Sequence, residues 1–222
     1  MSKTFLIVAA LMLSACREEP AMPATEEPEA WSTRREQVEQ AIDAGPHDRA
    51  LEAANALLAQ ATSSGDPTQL AEASGILVGL NEGDPTAQLP HARLRLSALE
   101  RVTPLVGSAV WNARLELLLL LASTESGGEL DTELTRLRAQ SSDGGKLGSA
   151  LFRVMQVLAG RGDSSRAEAV GRESVRALEA DPSRKDTLVK ALEQLAGACE
   201  KNGKTEDASL FARRAAELAA TE

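Results

Sequence analysis

The sequence predicts an all-α fold, and three observations lead to that prediction. From Trp31 onward, apolar residues recur every three or four positions, which places them on one face of a helix. No segment alternates between apolar and polar residues for long enough to indicate a strand. Residues typical of helix ends separate the periodic segments. Clear stripes are Ala50-Ala54-Leu57-Leu58-Ala61, Leu70-Ala73-Leu77-Leu80 and Leu147-Leu151-Val154-Leu158.

The boundaries follow from residues that start or stop helices. An Asp followed by Pro combines a side chain that caps a helix with a residue suited to its first position. Gly45-Pro46 marks a helix end, and the two Gly-Gly pairs, 127–128 and 144–145, mark the loosest loops. The Asp-Pro pairs are 66–67, 84–85 and 181–182. The resulting helices are 31–43, 47–61, 67–80, 90–102, 105–122, 130–140, 146–160, 164–179 and 184–219. The last is a pair broken near Gly203, so nine helices become ten if both members are counted.

Three of the predicted hairpins share a spacing, because Gly45, Gly162 and Gly203 each precede an alanine by five residues. The C-terminal hairpin resembles a tetratricopeptide repeat (TPR) through Leu195, Ala196, Cys199, Gly203, Ala208, Ala212 and Ala215. Residues 154–174 match more loosely. The resemblance implies a solenoid of helical hairpins that binds proteins or peptides.

The resemblance has limits that leave an irregular helical bundle as the alternative. Cys199 and Ala212 stand where the family usually carries large aromatic residues. Gly162 and Gly203 are 41 residues apart, whereas the family repeat has 34. Segment 85–145 shows no recognisable repeat. We therefore expect a degenerate, TPR-like arrangement in place of a regular array.

The N-terminal segment carries a second resemblance. Lys3 precedes a short apolar run that closes with Leu13-Ser14-Ala15-Cys16, which resembles the lipobox of a bacterial lipoprotein. The resemblance implies that residues 1–15 are a signal peptide and that Cys16 carries a lipid, including palmitate, that anchors the chain to a membrane. Arg17, in place of Asp, points to the outer membrane, with the domain facing the periplasm or the cell surface. An ordinary secretory signal or a cytosolic chain with an apolar start is the alternative.

Residues 16–30 form a flexible tether after the lipidated cysteine, because they are rich in Pro, Glu and Ala and have little to bury. Residues 31–222 then form the helical-repeat domain. The tether adds acidic residues to a chain whose formal net charge is −9. An acidic chain is repelled by nucleic-acid phosphates, and few aromatic rings are available for stacking on bases. Nucleic acid is therefore excluded as a partner.

Cys199 is expected to be a buried apolar residue, because it continues the helical stripe of Leu188, Leu192 and Leu195. A reactive thiol is the alternative. His47 and His91 lie near predicted helix starts without a second ligand at metal-binding spacing, so both are expected to be exposed surface residues. No glycine loop, nucleophile elbow or metalloprotease motif is complete. The sequence therefore predicts no catalytic residue, no metal and no cofactor.

Leu117–Leu121 is the most apolar segment after residue 15, and it has three interpretations. A membrane span is disfavoured because Arg114 and Glu116 interrupt the window. A helix packed on several sides is the favoured interpretation. The third is a partly exposed face that receives a partner, with Trp111, Leu117, Leu118 and Leu121 as the candidate contact residues.

These observations favour a non-enzymatic, membrane-anchored adaptor that binds a protein or peptide partner in an assembly of the bacterial cell envelope. Stacked hairpins build long grooves suited to such segments. A self-associating structural lipoprotein is the first alternative. An enzyme or small-ligand binder whose site the sequence does not reveal is the second.

Overall fold

The computed structural model describes residues 27–102, 107–124 and 127–220, with side chains from residue 31 onward. This part of the chain contains ten α-helices, one short 3₁₀ turn and no strand, which confirms the all-α prediction. The helices are α1 (Glu27–Ala44), α2 (His47–Ser64), α3 (Pro67–Leu80), α4 (Pro85–Leu99), α5 (Gly107–Ser123), α6 (Gly127–Gln140), α7 (Gly144–Gly160), α8 (Ser164–Glu179), α9 (Lys185–Lys201) and α10 (Thr205–Ala219). The 3₁₀ turn, Pro182–Arg184, lies between α8 and α9.

The chain divides into two compact units, Met1–Ala113 and Arg114–Glu222. In the first unit, α1 to α4 pack in chain order, each against the next. In the second, α7 to α10 do the same. Short connections between consecutive helices make them antiparallel, so α7 and α9 run in the same direction. The sequence predicts one helical-repeat domain over 31–222, whereas this division falls within α5.

Glycines form the tight turns of the hairpins. Gly45, Gly83, Gly162 and Gly203 each connect two antiparallel helices, and each has a φ between 74° and 100°. Residues that carry a Cβ rarely adopt this left-handed region, so glycine is required there. The repeated spacing predicted from the sequence is therefore a repeated turn.

The spacing of a turn glycine five residues before an alanine does not identify the α3–α4 hairpin, because this hairpin has a polar residue in place of the alanine. Gly83 precedes Gln88 by five positions, where the other hairpins carry alanine. The Gln88 carboxamide Nε2 donates to the Val78 carbonyl oxygen at 2.9 Å, which ties the two helices together. The prediction of no repeat from residue 85 onward is therefore wrong for this hairpin, because a hydrogen bond replaces alanine packing.

Two predicted boundaries need correction. Helix α4 begins at Pro85 and not at residue 90, because the Asp84 carboxylate caps the backbone N–H groups of Thr86 and Ala87 at 3.0 and 3.1 Å. Pro90 lies inside α4, where its missing N–H leaves one backbone hydrogen bond unmade.

The two Gly-Gly pairs also begin helices instead of forming loops. Gly127 starts α6 and Gly144 starts α7. A Cβ on Gly145 would collide with the Asp181 carboxylate, so glycine at this point lets α7 pack closely against the connection between α8 and α9. The prediction of loose loops at these positions is therefore wrong.

Close helix approach is the main packing feature of α7 against α8. A Cβ on Gly148 would lie 2.6 Å from Leu178 Cγ and 2.9 Å from its backbone nitrogen. The buried Ser174 hydroxyl donates to the Gly148 carbonyl oxygen at 2.7 Å. Ser174 thus forms a hydrogen bond between α8 and α7 at a point where a residue larger than glycine at position 148 would not fit.

Ion pairs connect α6, α8 and α10, the second helices of successive hairpins. The Arg138 guanidinium binds both Glu173 carboxylate oxygens at 2.7 Å. Arg172 pairs with Asp207, and Arg214 pairs with Glu179. Each of the three pairs joins residues 35 positions apart. We call these three pairs the ion-pair ladder.

None of the helices in the described residues combines the length and apolar character that crossing a membrane requires. The predicted signal, the lipobox with Cys16 and most of the tether lie outside the described residues. Helix α1 begins within the predicted tether, at Glu27.

Candidate functional site

The four predicted partner-contact residues lie in the interior. Trp111 is 6% exposed, and the exposed fractions of Leu117, Leu118 and Leu121 are 2% or less. Side chains buried to this degree cannot form a contact surface. These residues therefore fit the interpretation of α5 as a helix packed on several sides, and they do not contribute to the candidate site. Within the leucine run, Leu119 alone is more than marginally exposed.

An open cleft of about 360 Å³ lies between α7 and α9. Its lining combines one aromatic residue, two carboxamides and one charge of each sign. The lining residues are Phe152, Gln156, Lys190, Glu193 and Gln194. We call this depression the α7–α9 cleft.

The cleft is a product of the repeat. A shift of 41 residues superimposes the turn glycines Gly162 and Gly203. The same shift matches Phe152 to Glu193 and Gln156 to Gly197. The two helices therefore present equivalent positions to the cleft.

The polar side chains of the cleft are not used by the fold. Within the described residues, Gln156, Lys190, Glu193 and Gln194 make no hydrogen bond or ion pair with another residue. The ion-pair ladder on α6, α8 and α10 behaves in the opposite way, because its charged groups are paired by contacts within the chain. Uncommitted donors and acceptors along a cleft are available to a ligand.

Gly197 lies on α9 about one helical turn after Glu193 and Gln194, and it is not among the residues that line the cleft. A Cβ built on Gly197 would meet no atom within 4 Å, so packing does not exclude a larger residue. Glycine inside a helix is less stable than alanine. The fold alone therefore gives no reason for glycine at this position.

A second depression, of about 530 Å³, surrounds a buried carboxylate at the junction of α8, α9 and α10. Glu168 accepts from Lys204 Nζ at 2.8 Å, Asn202 Nδ2 at 2.8 Å and Arg172 Nε at 2.9 Å. Burial raises the pKa of Glu168, but these three hydrogen bonds outweigh burial and lower the pKa to about 2. The charged groups of this depression, Glu168, Arg172 and Lys204, are thus already paired.

The same junction contains three potential metal ligands. Ligand atoms of Glu168, Cys199 and Asp207 lie within 4.8 Å of one another. Arg172 hydrogen-bonds both carboxylates and its Nη2 is 3.8 Å from Cys199 Sγ. Its guanidinium also lies 5.2 Å from the centre of the Phe211 ring. The Arg172 guanidinium therefore occupies the position that a metal cation would take, and the cluster stabilises the packing of α8, α9 and α10.

Cys199 is fully buried, as the helical stripe predicts. Burial and the nearby Glu168 carboxylate raise the pKa of its thiol. A thiol of this kind is a poor nucleophile, because the thiolate is the reactive form.

The histidines differ from each other. His47 is the first residue of α2 and is exposed, as predicted. His91 is half-buried, and burial lowers its pKa. His91 is therefore less exposed than predicted, and it lies in the second turn of α4, which starts at Pro85.

Sequence patterns predicted the helices that carry the cleft residues, but they did not identify the cleft residues themselves. Gln156, Lys190 and Glu193 have the composition of an ordinary solvated surface. The sequence did contain one signal. Under the 41-residue shift Phe152 is equivalent to Glu193, so an aromatic residue takes the place of a charged one on an otherwise polar face.

Comparisons with known proteins bear on the fold. No family model matches the chain, and no curated protein matches it. The crystal structure of MamA protein is similar, with a TM-score of 0.58 and 14% identity, over 86% of this chain and 92% of MamA. The crystal structure of a Podosopora anserina protein with nearly identical kinesin-light-chain TPR-like repeats has a TM-score of 0.59 and 13% identity, over 88% of this chain and 97% of that protein. The chain therefore has a TPR-like helical-repeat fold.

Proposed function

We propose that this chain is a non-enzymatic scaffold that binds a segment of a protein partner in the α7–α9 cleft. The observation that carries the proposal is the contrast between the ion-pair ladder and the cleft. The ladder residues on α6, α8 and α10 pair with one another within the chain, whereas the polar side chains that line the cleft make no such pairs within the described residues. Helical-repeat folds characteristically bind partners on surfaces built by equivalent positions of successive hairpins.

The chemistry of the cleft supports binding in preference to catalysis. Its lining has no histidine, cysteine or hydroxyl group. Lys190 and Glu193 are its charged groups, and both lie on the exposed surface of an open depression, where nothing excludes water from them. An open, hydrated surface suits contact with a partner better than acid–base chemistry.

We further propose that the scaffold is a lipoprotein of the bacterial outer membrane, anchored through Cys16. The support is the sequence alone: Lys3, the apolar run and Leu13-Ser14-Ala15-Cys16 occur in the order of a lipoprotein signal. The Pro- and Glu-rich tether would hold the repeats away from the lipid surface. The partner would then belong to an envelope assembly.

Site-specific photo-crosslinking in cells tests the binding proposal. The full chain carries benzoylphenylalanine at Gln156 or Glu193 in the cleft, or at the exposed control positions Arg176 on α8 and Ser209 on α10. We expect one discrete protein adduct from both cleft positions and none from the controls. Adducts of equal yield at all four positions, or none at the cleft positions, would contradict the proposal.

A further inference from the structure

Helix α10 is attached to its neighbours by little apolar burial. It buries two residues, Phe211 and Ala215, whereas α7 buries eight residues and α8 and α9 bury seven each. Burial of an apolar face supplies most of the stability of a helix in a folded protein, because it removes apolar area from water. Helix α10 is therefore the most weakly packed of these four helices.

Three ion pairs join α10, or the residue directly before it, to α8. They are Arg172–Asp207, Glu179–Arg214 and Glu168–Lys204. The more exposed side chain of each pair has an exposed fraction between 39% and 51%, so all three pairs are in contact with solvent. Ion pairs in contact with solvent are weakened by salt. The attachment of α10 therefore depends on ionic strength.

The Cys199 thiol lies between α8 and α10. Its Sγ is within 4.8 Å of a carboxylate oxygen of Glu168 on α8 and of Asp207 on α10. Arg172 Nη2 on α8 is 3.8 Å from the same sulfur. Cys199 is fully buried, so a reagent in solution does not reach the sulfur while α10 is in place. The accessibility of this thiol therefore reports whether α10 is attached.

We propose that α10 detaches from α8 and α9 as one unit while α7 to α9 stay folded, and that its detachment exposes the Cys199 thiol to solvent. Elements with few buried apolar contacts are the ones that open at the lowest free energy. Salt shifts the equilibrium toward the detached form, because it screens the three ion pairs. The inference goes beyond the proposed function, since it needs no ligand in the α7–α9 cleft.

Alkylation of Cys199 by iodoacetamide, in which the thiolate displaces iodide, measures the detachment. The full chain in detergent micelles is treated at constant pH and digested with trypsin, and peptide 191–201, in which Cys199 is the one cysteine, is quantified by mass spectrometry. The synthetic peptide 191–201 gives the rate of an unprotected thiol under the same conditions. We expect the rate in the chain, relative to the peptide, to rise by about fivefold or more between about 0.05 M and about 1 M NaCl.

Low concentrations of urea distinguish detachment of α10 from unfolding of the whole chain. Detachment exposes little surface, so the alkylation rate should respond weakly to urea below the unfolding transition. The opening constant obtained from alkylation should exceed the unfolding constant obtained from urea denaturation by about tenfold or more. Equal constants with the same dependence on urea would overturn the inference, because Cys199 would then react only in the unfolded chain.

Two adjacent arginines on α10 provide a variant and its matched control. Arg214 pairs with Glu179 on α8. Arg213 pairs with Glu217 on α10 itself, at 3.8 Å. Arg214→Gln and Asp207→Asn should each raise the alkylation rate by about threefold or more, because each removes an ion pair between helices. Arg213→Gln should change the rate by less than about twofold, because its ion pair does not attach α10 to another helix.

The double variant Asp207→Asn/Arg214→Gln should lose most of the salt dependence, because two of the three ion pairs are absent. An alkylation rate in wild type that does not rise with salt would overturn the inference. Equal effects of Arg213→Gln and Arg214→Gln would also overturn it, because the ion pairs to α8 would then not hold α10. The measurements on wild type need no substitution, so they test the inference even where a variant is destabilised.

Discussion

Gly171 and Met155 fit together as a small residue against a large one. A Cβ on Gly171 would lie 2.4 Å from Met155 Sδ and 3.1 Å from Leu195 Cδ1. The Met155 side chain is fully buried, so it has little freedom to move aside. The contact interlocks α7, α8 and α9. In the next hairpin the equivalent positions hold Ala196, which is buried, and Ala212, which is exposed, so this interlocking contact is not repeated there.

This contact predicts strong coupling between the two residues. Gly171→Ala should destabilise the chain by about 1–3 kcal/mol through overpacking, and Met155→Ala by about 2–5 kcal/mol through a cavity. The double variant should be more stable than the sum predicts, because the added methyl group fills part of the vacated space. Urea denaturation followed by circular dichroism measures all three. Strictly additive free energies would show that the residues do not compete for space.

The Glu168 carboxylate predicts an acid-sensitive contribution to stability. Its pKa is lowered to about 2 in the folded chain, so its contribution is complete above its ordinary value of about 4.5 and is lost as the pH falls from there toward 2. Glu168→Gln should lower the free energy of unfolding by about 1–3 kcal/mol at neutral pH, because charged hydrogen bonds are removed.

The measurement compares wild type with Glu168→Gln in urea at pH 6 and pH 3. The difference between the two proteins should narrow at the lower pH. Glu206→Gln, which changes an exposed carboxylate in the first turn of α10, serves as the control. A difference between wild type and Glu168→Gln that stays constant across this range would contradict the assigned titration.

Gly197→Ala should stabilise the chain. The change should raise the free energy of unfolding by about 0.5–1 kcal/mol, because alanine favours the helix and its Cβ meets no atom within 4 Å. Thermal unfolding followed by circular dichroism compares the variant with wild type. A loss of stability would instead show that the fold needs glycine at this position.

The lipid anchor predicts incorporation of labelled palmitate at one residue. In a bacterial host, wild type and Cys199→Ala should both acquire the label, because Cys199 is buried and lies outside the lipobox. Cys16→Ser should acquire none and should leave the membrane fraction. Label in Cys16→Ser equal to wild type, or no label in any of the three, would reject the lipoprotein assignment.

Local chemistry explains which parts of the fold the sequence predicts well. The capping of α3 by Asp66, whose carboxylate accepts from the Thr68 backbone N–H at 2.7 Å, involves residues two positions apart. The left-handed turn at Gly45 likewise depends on one residue. Such features are set by neighbours in the chain, so their signals survive without knowledge of the tertiary structure.

Features set by tertiary contacts were harder to predict. Five identical leucines contain no periodicity, so nothing in the run distinguishes the buried Leu118 from the more exposed Leu119. Many pairings are possible among 24 basic and 33 acidic residues, which hides the 35-residue spacing of the ion-pair ladder. The cleft was missed for the same reason, because an uncommitted polar side chain is recognised only when the contacts of the others are known.

The ion-pair ladder has a consequence for how the chain tolerates substitution. Residues such as Arg138 and Glu173 join neighbouring hairpins from helices that do not line the α7–α9 cleft. Substitutions at Gln156 or Lys190 therefore leave those attachments intact. The surface chemistry of one set of helices can be altered while the other set keeps the hairpins in register.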